Sequence, residues 1–175
     1  MRIFYDYQIF LTQRYGGISR YFYEIIKYLS DEQKMEIASS VLFSNNSYIS
    51  SNEYIKHFDF YPNKQFRGKY RFMLTLNKLK SVFDLKHQNF DIFHPTYYDP
   101  YFLNYIGNKP FVLTIHDMTH EKFSNLFPGI DKTSRRKKLL AEKASKIIAV
   151  SNCTKNDIIE LLGIPESKIE VIYHG

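Results

Sequence analysis

"KASKIIAVSNCTKNDIIELLGIPESKIEVIYHG", Lys143 to Gly175, is the stretch that decides the fold. Ile147 to Val150 is a short apolar run, the mark of a strand buried on both faces. Thr154 to Leu162 follows as a helix. Thr154 and Asp157 match a capping box, and Gly163 then Pro165 end the helix. Ile169 to Tyr173 returns to strand. Strand, helix and strand in immediate succession predict parallel strands joined by a crossover.

The same alternation extends back to the N-terminus. Thr133 to Ser145 reads as a helix with a basic face of Arg135, Arg136, Lys137 and Lys138. Phe111 to Ile115 is a doubly buried strand, and Asp91 to His94 is a brief one stopped by Pro95. Phe72 to Leu85 carries Phe72, Leu76, Leu79 and Phe83 at helical spacing. Before it, Asn63 to Arg71 is basic, Tyr54 to Tyr61 holds a short strand, and Ser44 to Asn52 is a polar loop. Glu36 to Phe43 reads as a strand. Ile18, Tyr21, Phe22, Ile25, Ile26 and Leu29 define a helix that Ser30-Asp31 stops. Arg2 to Tyr5 is the first strand, and Asp6 to Tyr15 a loop. The whole reads as an α/β fold with a parallel sheet and helices on both faces.

A chain of 175 residues fits one domain. It contains 15 Tyr and 15 Phe but no Trp, so rings fill a core and also face a surface or groove. Its net charge of +6 favours anionic partners. The one cysteine, Cys153, excludes an internal disulfide and fits a reducing compartment. The N-terminus lacks the pattern of a signal peptide, and no apolar run is long enough to span a membrane. A cytoplasmic protein is expected.

Ligands of parallel α/β sheets bind outside the carboxyl ends of the strands. Those ends carry Asp6-Tyr7 and the loop to Gly17, His94-Pro95-Thr96, His116-Asp117, Ser151-Asn152 and His174-Gly175. Gly16-Gly17 is either a backbone cradle for an anion or a plain helix start; it has neither GxGxxG nor P-loop spacing. His116-Asp117 offers a hydrogen-bonding imidazole, or else a pair that caps the next helix. His120 stands four residues on, but the glutamate of HExxH is missing, so no metal is expected. His94, Tyr97 and Tyr98 suit a sugar-binding surface or an ordinary hydrophobic loop. His57 and His87 read as solvated. Lys64 to Arg71 and Arg135 to Lys138 are solvated faces, phosphate contacts or a surface that meets anionic lipid.

Four segments in order, "YGGISRYFYEIIKYL", "DIFHPTYY", "PFVLTIHDMTH" and the opening stretch, resemble the N-terminal half of a family 4 glycosyltransferase. The resemblance covers essentially the whole chain, residues 1–175. It implies a Rossmann-like domain, the acceptor side of a GT-B fold, acting in retaining sugar transfer without a metal or other cofactor. The donor would be a nucleotide-sugar and the acceptor a glycan or lipid-linked molecule, in bacterial surface polysaccharide synthesis such as lipopolysaccharide or capsule. The resemblance places Gly16 and Gly17 near the donor diphosphate and His116 on the transferred sugar. Asp117 would orient His116, and Ser151 would offer a hydroxyl and N–H groups. His94, Tyr97 and Tyr98 would meet the acceptor. The family's donor-binding second domain has no counterpart in these residues, so the chain alone is expected to be inactive. A peripheral contact at the inner membrane face fits the basic surface; nucleic acid is not an expected partner. Two readings compete with this one: a non-catalytic module that binds a sugar, a nucleotide or a partner protein, and nucleic-acid binding through the basic stretches, whose first interleaves Phe66, Tyr70 and Phe72.

Overall fold

The computed structural model describes residues 1–50, 53–123, 125 and 132–174. Contacts divide the chain into two compact units, Met1–Tyr97 with Tyr101–Lys109, and Tyr98–Pro100 with Pro110–Gly175. Every strand pair among the described residues is parallel, as the apolar runs predict, but the pairs form three sheets rather than one.

In the first unit β1 (Arg2–Tyr5) lies between β2 (Glu36–Ser39) and β5 (Ile92–His94). Ile3 pairs with Ile37 on one side and Ile92 on the other. Its core packs Phe4 on Phe90 and Phe93, and Phe93 on Phe102 at 4.7 Å between ring centroids. The loop expected after β1 contains a short helix, α1 (Gln8–Thr12). Periodicity cannot show a helix of one turn. It forms because the buried Asp6 carboxylate accepts the Gln8 N–H, and Thr96 Oγ1 accepts the Ile9 N–H. These satisfy donors that a helix start leaves open. Helix α2 (Gly17–Asp31) follows and buries Ser19, Phe22 and Ile26.

The strand expected over Glu36 to Phe43 breaks after Ser39, and the chain pairs again as β3 (Phe43–Ser44) with β4 (Phe58–Asp59). Helix α3 (Lys69–His87) starts earlier than its apolar spacing suggests. Its orientation is unexpected, because the buried face holds Lys69, Met73, Asn77, Ser81 and Leu85. Asn77 explains this. Its Oδ1 accepts the N–H groups of Leu42 and Phe43 at 2.8 and 3.2 Å, and its Nδ2 donates to Phe43 O at 2.9 Å. Buried backbone groups at β3 need such partners. Ser81 and Tyr101 add a buried hydroxyl pair at 2.6 Å.

The second unit is one three-stranded sheet, β6 (Val112–Ile115), β7 (Lys146–Ala149) and β8 (Ile169–Val171), with β7 central. Helices α4 (Thr119–Lys122), α5 (Thr133–Lys143) and α6 (Asn152–Leu162) connect the strands. Leu140, Ala141, Ile147, Ala149 and Ile158 form its core. The cap of α6 lies three residues before the expected one. Ser151 Oγ accepts the Thr154 N–H at 3.0 Å, while Asp157 pairs with Lys122 at 2.8 Å. Ser151 is extended, as an N-cap requires.

Candidate functional site

Register aligns the carboxyl ends of the second unit's strands. Ile115 pairs with Ala149, and Ala149 with Val171. The residues one to three positions on are therefore grouped at one edge: His116 after β6, Ser151 after β7 and His174 after β8. The His116 and His174 rings lie 5.7 Å apart between centroids. Tyr98 fixes the turn from beside it, its hydroxyl accepting the His116 backbone N–H at 3.4 Å.

His116 is half-buried. Burial lowers its imidazole pKa most, His174 and Lys137 add to the effect, and Asp117 opposes it; the result is about 4. At neutral pH the ring is uncharged and serves as a hydrogen-bond donor and acceptor. Asp117 is more exposed. Burial raises its pKa, but the N–H and hydroxyl of Thr119 and the charge of Lys137 outweigh that and hold the carboxyl below its usual range. Its Oδ1 accepts the Thr119 N–H at 2.9 Å, so it caps the start of α4 and shapes the turn that carries His116.

Lys137 corrects the sequence reading. The sequence puts it on a basic face with Arg135, Arg136 and Lys138, yet it is 1% exposed. Its Nζ donates to Asp117 O at 2.8 Å and to Glu121 Oε2 at 2.9 Å. The same ammonium lies 5.3 Å from the centre of the Tyr98 ring, within cation–π range. One buried cation thus ties together the turn after β6, helix α4 and Tyr98. The signal was present in the spacing, because Lys137 precedes the buried Leu140 and Ala141 by three and four residues.

Ser151 caps α6 as described, with its hydroxyl also 3.1 Å from Thr154 Oγ1. The N–H groups of Asn152 and Cys153 begin that helix at the same sheet edge.

In the first unit the carboxyl edge is largely closed. Asp6 is fully buried and accepts Thr96 Oγ1 at 2.6 Å, Thr96 N–H at 3.0 Å and Gln8 Nε2 at 2.7 Å. Burial raises its pKa against these bonds. His94 is 6% exposed and packs on Tyr5 and Phe22 at 5.4 and 5.1 Å between ring centroids. Tyr97 is half-buried and belongs to this unit, whereas the buried Tyr98 belongs to the other. His57 is not solvated as expected. Its side chain is buried, with Nδ1 2.8 Å from Ile55 O and Nε2 3.7 Å from Asp59. His87 is exposed.

The two glycines separate. Gly16 is the N-cap of α2 with extended backbone, and a methyl group there would strike the Gln13 side chain. That side chain lies across it because Gln13 Oε1 accepts the Ser19 N–H at 3.2 Å, capping the helix. Gly17 is exposed, with open space where a Cβ would stand. Gln13 and Arg14 also line a cavity of about 140 Å³ with Asn45, Lys69 and Tyr70.

The parallel α/β units have the fold of the N-terminal half of solved GT-B glycosyltransferase structures. The chain belongs to glycosyltransferase family 4, whose family model matches residues 15–175. No curated protein matches it significantly. Among solved structures it is similar to Anabaena HepE in complex with UDP and glucose, at 18% identity and a TM-score of 0.60. It is also similar to a glycosyltransferase from Rickettsia africae at 23% identity and TM-score 0.54. A third is the lipopolysaccharide outer core galactosyltransferase WaaB, at 17% identity and TM-score 0.54. Each match covers 99% of this chain but only 43–46% of the other. The chain therefore spans less than half the length of these structures.

Proposed function

We propose that this chain is the acceptor-side domain of a retaining glycosyltransferase, which moves a sugar from a nucleotide-sugar to a hydroxyl of a glycan or lipid-linked acceptor. The observation that carries the reading is the neutral, half-buried His116, held at the carboxyl edge of β6 beside Asp117 and Ser151. An uncharged imidazole can exchange a hydrogen bond with a hydroxyl of the transferred sugar. It also avoids placing a positive charge beside an oxocarbenium-like transition state. Asp117 and Lys137 position it by fixing the turn. The helix start at Ser151 supplies N–H groups suited to anionic oxygen. In the first unit Gly17 leaves backbone N–H groups open to a diphosphate, and Gly16 makes room for the Gln13 cap beneath them. His94, held by aromatic packing, supports the loop that presents Tyr97 to the acceptor, and Tyr98 supports His116. This transfer serves bacterial surface-glycan synthesis, takes place in the cytoplasm and involves peripheral contact with the inner membrane face. Transfer needs a donor-binding domain besides this one.

Amide chemical shifts on titration with nucleotide-sugars test the site in the 175-residue chain. UDP-, GDP- and ADP-sugars are tried in turn. At least one should shift His116, Asp117 and Asn152 at millimolar concentration, and His116→Ala should remove the effect. No response at these residues to any donor contradicts the reading.

A further inference from the structure

The face that α3 turns outward is apolar. Phe72, Leu79 and Phe83 are 50%, 61% and 62% exposed, and Leu76 between them is half-buried. At 3.6 residues per turn these four cover only about 60° of the helix and run for about 16 Å along it. Phe72 continues the stripe into an aromatic patch, stacking on Phe60 at 5.3 Å; Phe60 and Tyr61 in turn contact Phe66. Helices of globular proteins bury such a stripe. Here the polar Asn77 and Ser81 face inward instead, bound to β3 and to Tyr101.

Charge identifies the occupant. From Phe60 to Phe90 the chain carries seven Lys and Arg and a single acid, Asp84. Lys80 occupies that acid at 2.6 Å. This segment alone accounts for the net charge of +6, leaving the remainder neutral. Arg71 and Lys78 flank the stripe on one side by helical spacing, and Lys86 extends it one turn past Phe83. A second copy docked on this face would oppose like charges. An apolar stripe edged by cations, with Tyr61 and Tyr70 exposed at its aromatic end, suits the interface of an anionic bilayer.

We propose that the outward face of α3, from Phe60 to Lys86, seats the domain on an anionic lipid surface. Leu79 and Phe83 enter the headgroup boundary, and Arg71, Lys78 and Lys86 meet lipid phosphates. This deepens the peripheral contact proposed above, rests on that part of it, and names the face responsible.

Flotation with vesicles of phosphatidylglycerol and phosphatidylcholine tests it, beside vesicles of phosphatidylcholine alone. The chain should bind the anionic vesicles, and higher salt should weaken the binding. Leu79→Ser with Phe83→Ser should weaken it about tenfold or more. Arg71→Glu with Lys78→Glu should do so, with a thermal melt to control for the loss of the Lys78 ammonium from over the Tyr101 ring, 5.7 Å from its centre. His116→Ala should bind as the parent does, which separates this claim from the sugar-contact claim. No binding to anionic vesicles, equal binding to neutral ones, or binding indifferent to both pairs overturns the proposal. So does a dimer in sedimentation equilibrium that Leu79→Ser dissolves.

Discussion

His116 carries a pH signature that follows from its burial. Its imidazole titrates at about 4 in the fold against an ordinary value of 6.5. The unfolded chain therefore takes up this proton first as pH falls. The native state keeps its full stability above pH 6.5 and loses it as pH drops toward 4. Within that window the slope from this residue is at most about 1.4 kcal/mol per pH unit. Chemical denaturation at pH 7 and 5 should show the loss, and His116→Gln should remove its share. An unchanged pH slope in the variant would place His116 in a solvated setting.

Lys137 permits a sharper test. Replacing it by Met leaves the Glu121 carboxylate, whose side chain is 5% exposed, without its cation. Breaking a buried pair in this way costs about 3–5 kcal/mol. Lys137→Met with Glu121→Leu should recover most of that in denaturant melts. A single variant as stable as the parent would show that the pair is solvated.

At the scale of elements, the strands were the most legible part of the sequence. β1, β5, β6 and β8 lie within the runs that apolar content marked, and β7 is offset from its run by one residue, because burial on both faces leaves a continuous signal. Elements fixed by single side-chain bonds were not legible. α1 depends on Asp6 and Thr96, some ninety residues apart, and β3 depends on Asn77 in α3. The stripe of α3 showed a helix correctly and its buried face not at all, because the polar bonds of Asn77 and Ser81 decide the packing. The placement of His116 and Ser151 after β6 and β7 was legible from the apolar runs that precede them. The burial of Lys137, by contrast, was hidden, because a lysine in a basic run ordinarily faces solvent.

Two caps test these local accounts. Ser151→Ala should cost about 1 kcal/mol, and Ser151→Asn should retain most of it, measured by thermal melting. No loss in the alanine variant would return the cap to Thr154. The glycines should respond differently from each other. Gly16→Ala displaces the Gln13 amide and should cost about 1 kcal/mol, an effect that Gln13→Ala absorbs in a double-mutant cycle. Gly17→Ala has open space and should leave stability within about 0.5 kcal/mol. Equal penalties at both positions would contradict the assignment of the cap to Gln13.

For the whole molecule, family and architecture agree. The chain is a family 4 glycosyltransferase domain of parallel α/β units, matching GT-B enzymes over less than half their length. No helix among the described residues is long and apolar enough to cross a membrane. The membrane contact proposed above rests on the outward face of α3. The sequence could show the charge of that surface but not its exposure, because helical spacing marks a stripe without saying which way it faces. The sugar transfer proposed above assigns catalysis to the edge of the second unit together with a donor-binding domain. Release of nucleoside diphosphate from nucleotide-sugars tests this most directly, in the 175-residue chain alone and joined to a donor-binding GT-B domain. The account predicts no turnover by the chain alone, turnover by the joined protein, and a kcat roughly 100-fold lower with His116→Ala at similar donor KM. Turnover by the isolated chain, or an unchanged kcat in the joined His116→Ala protein, would contradict it.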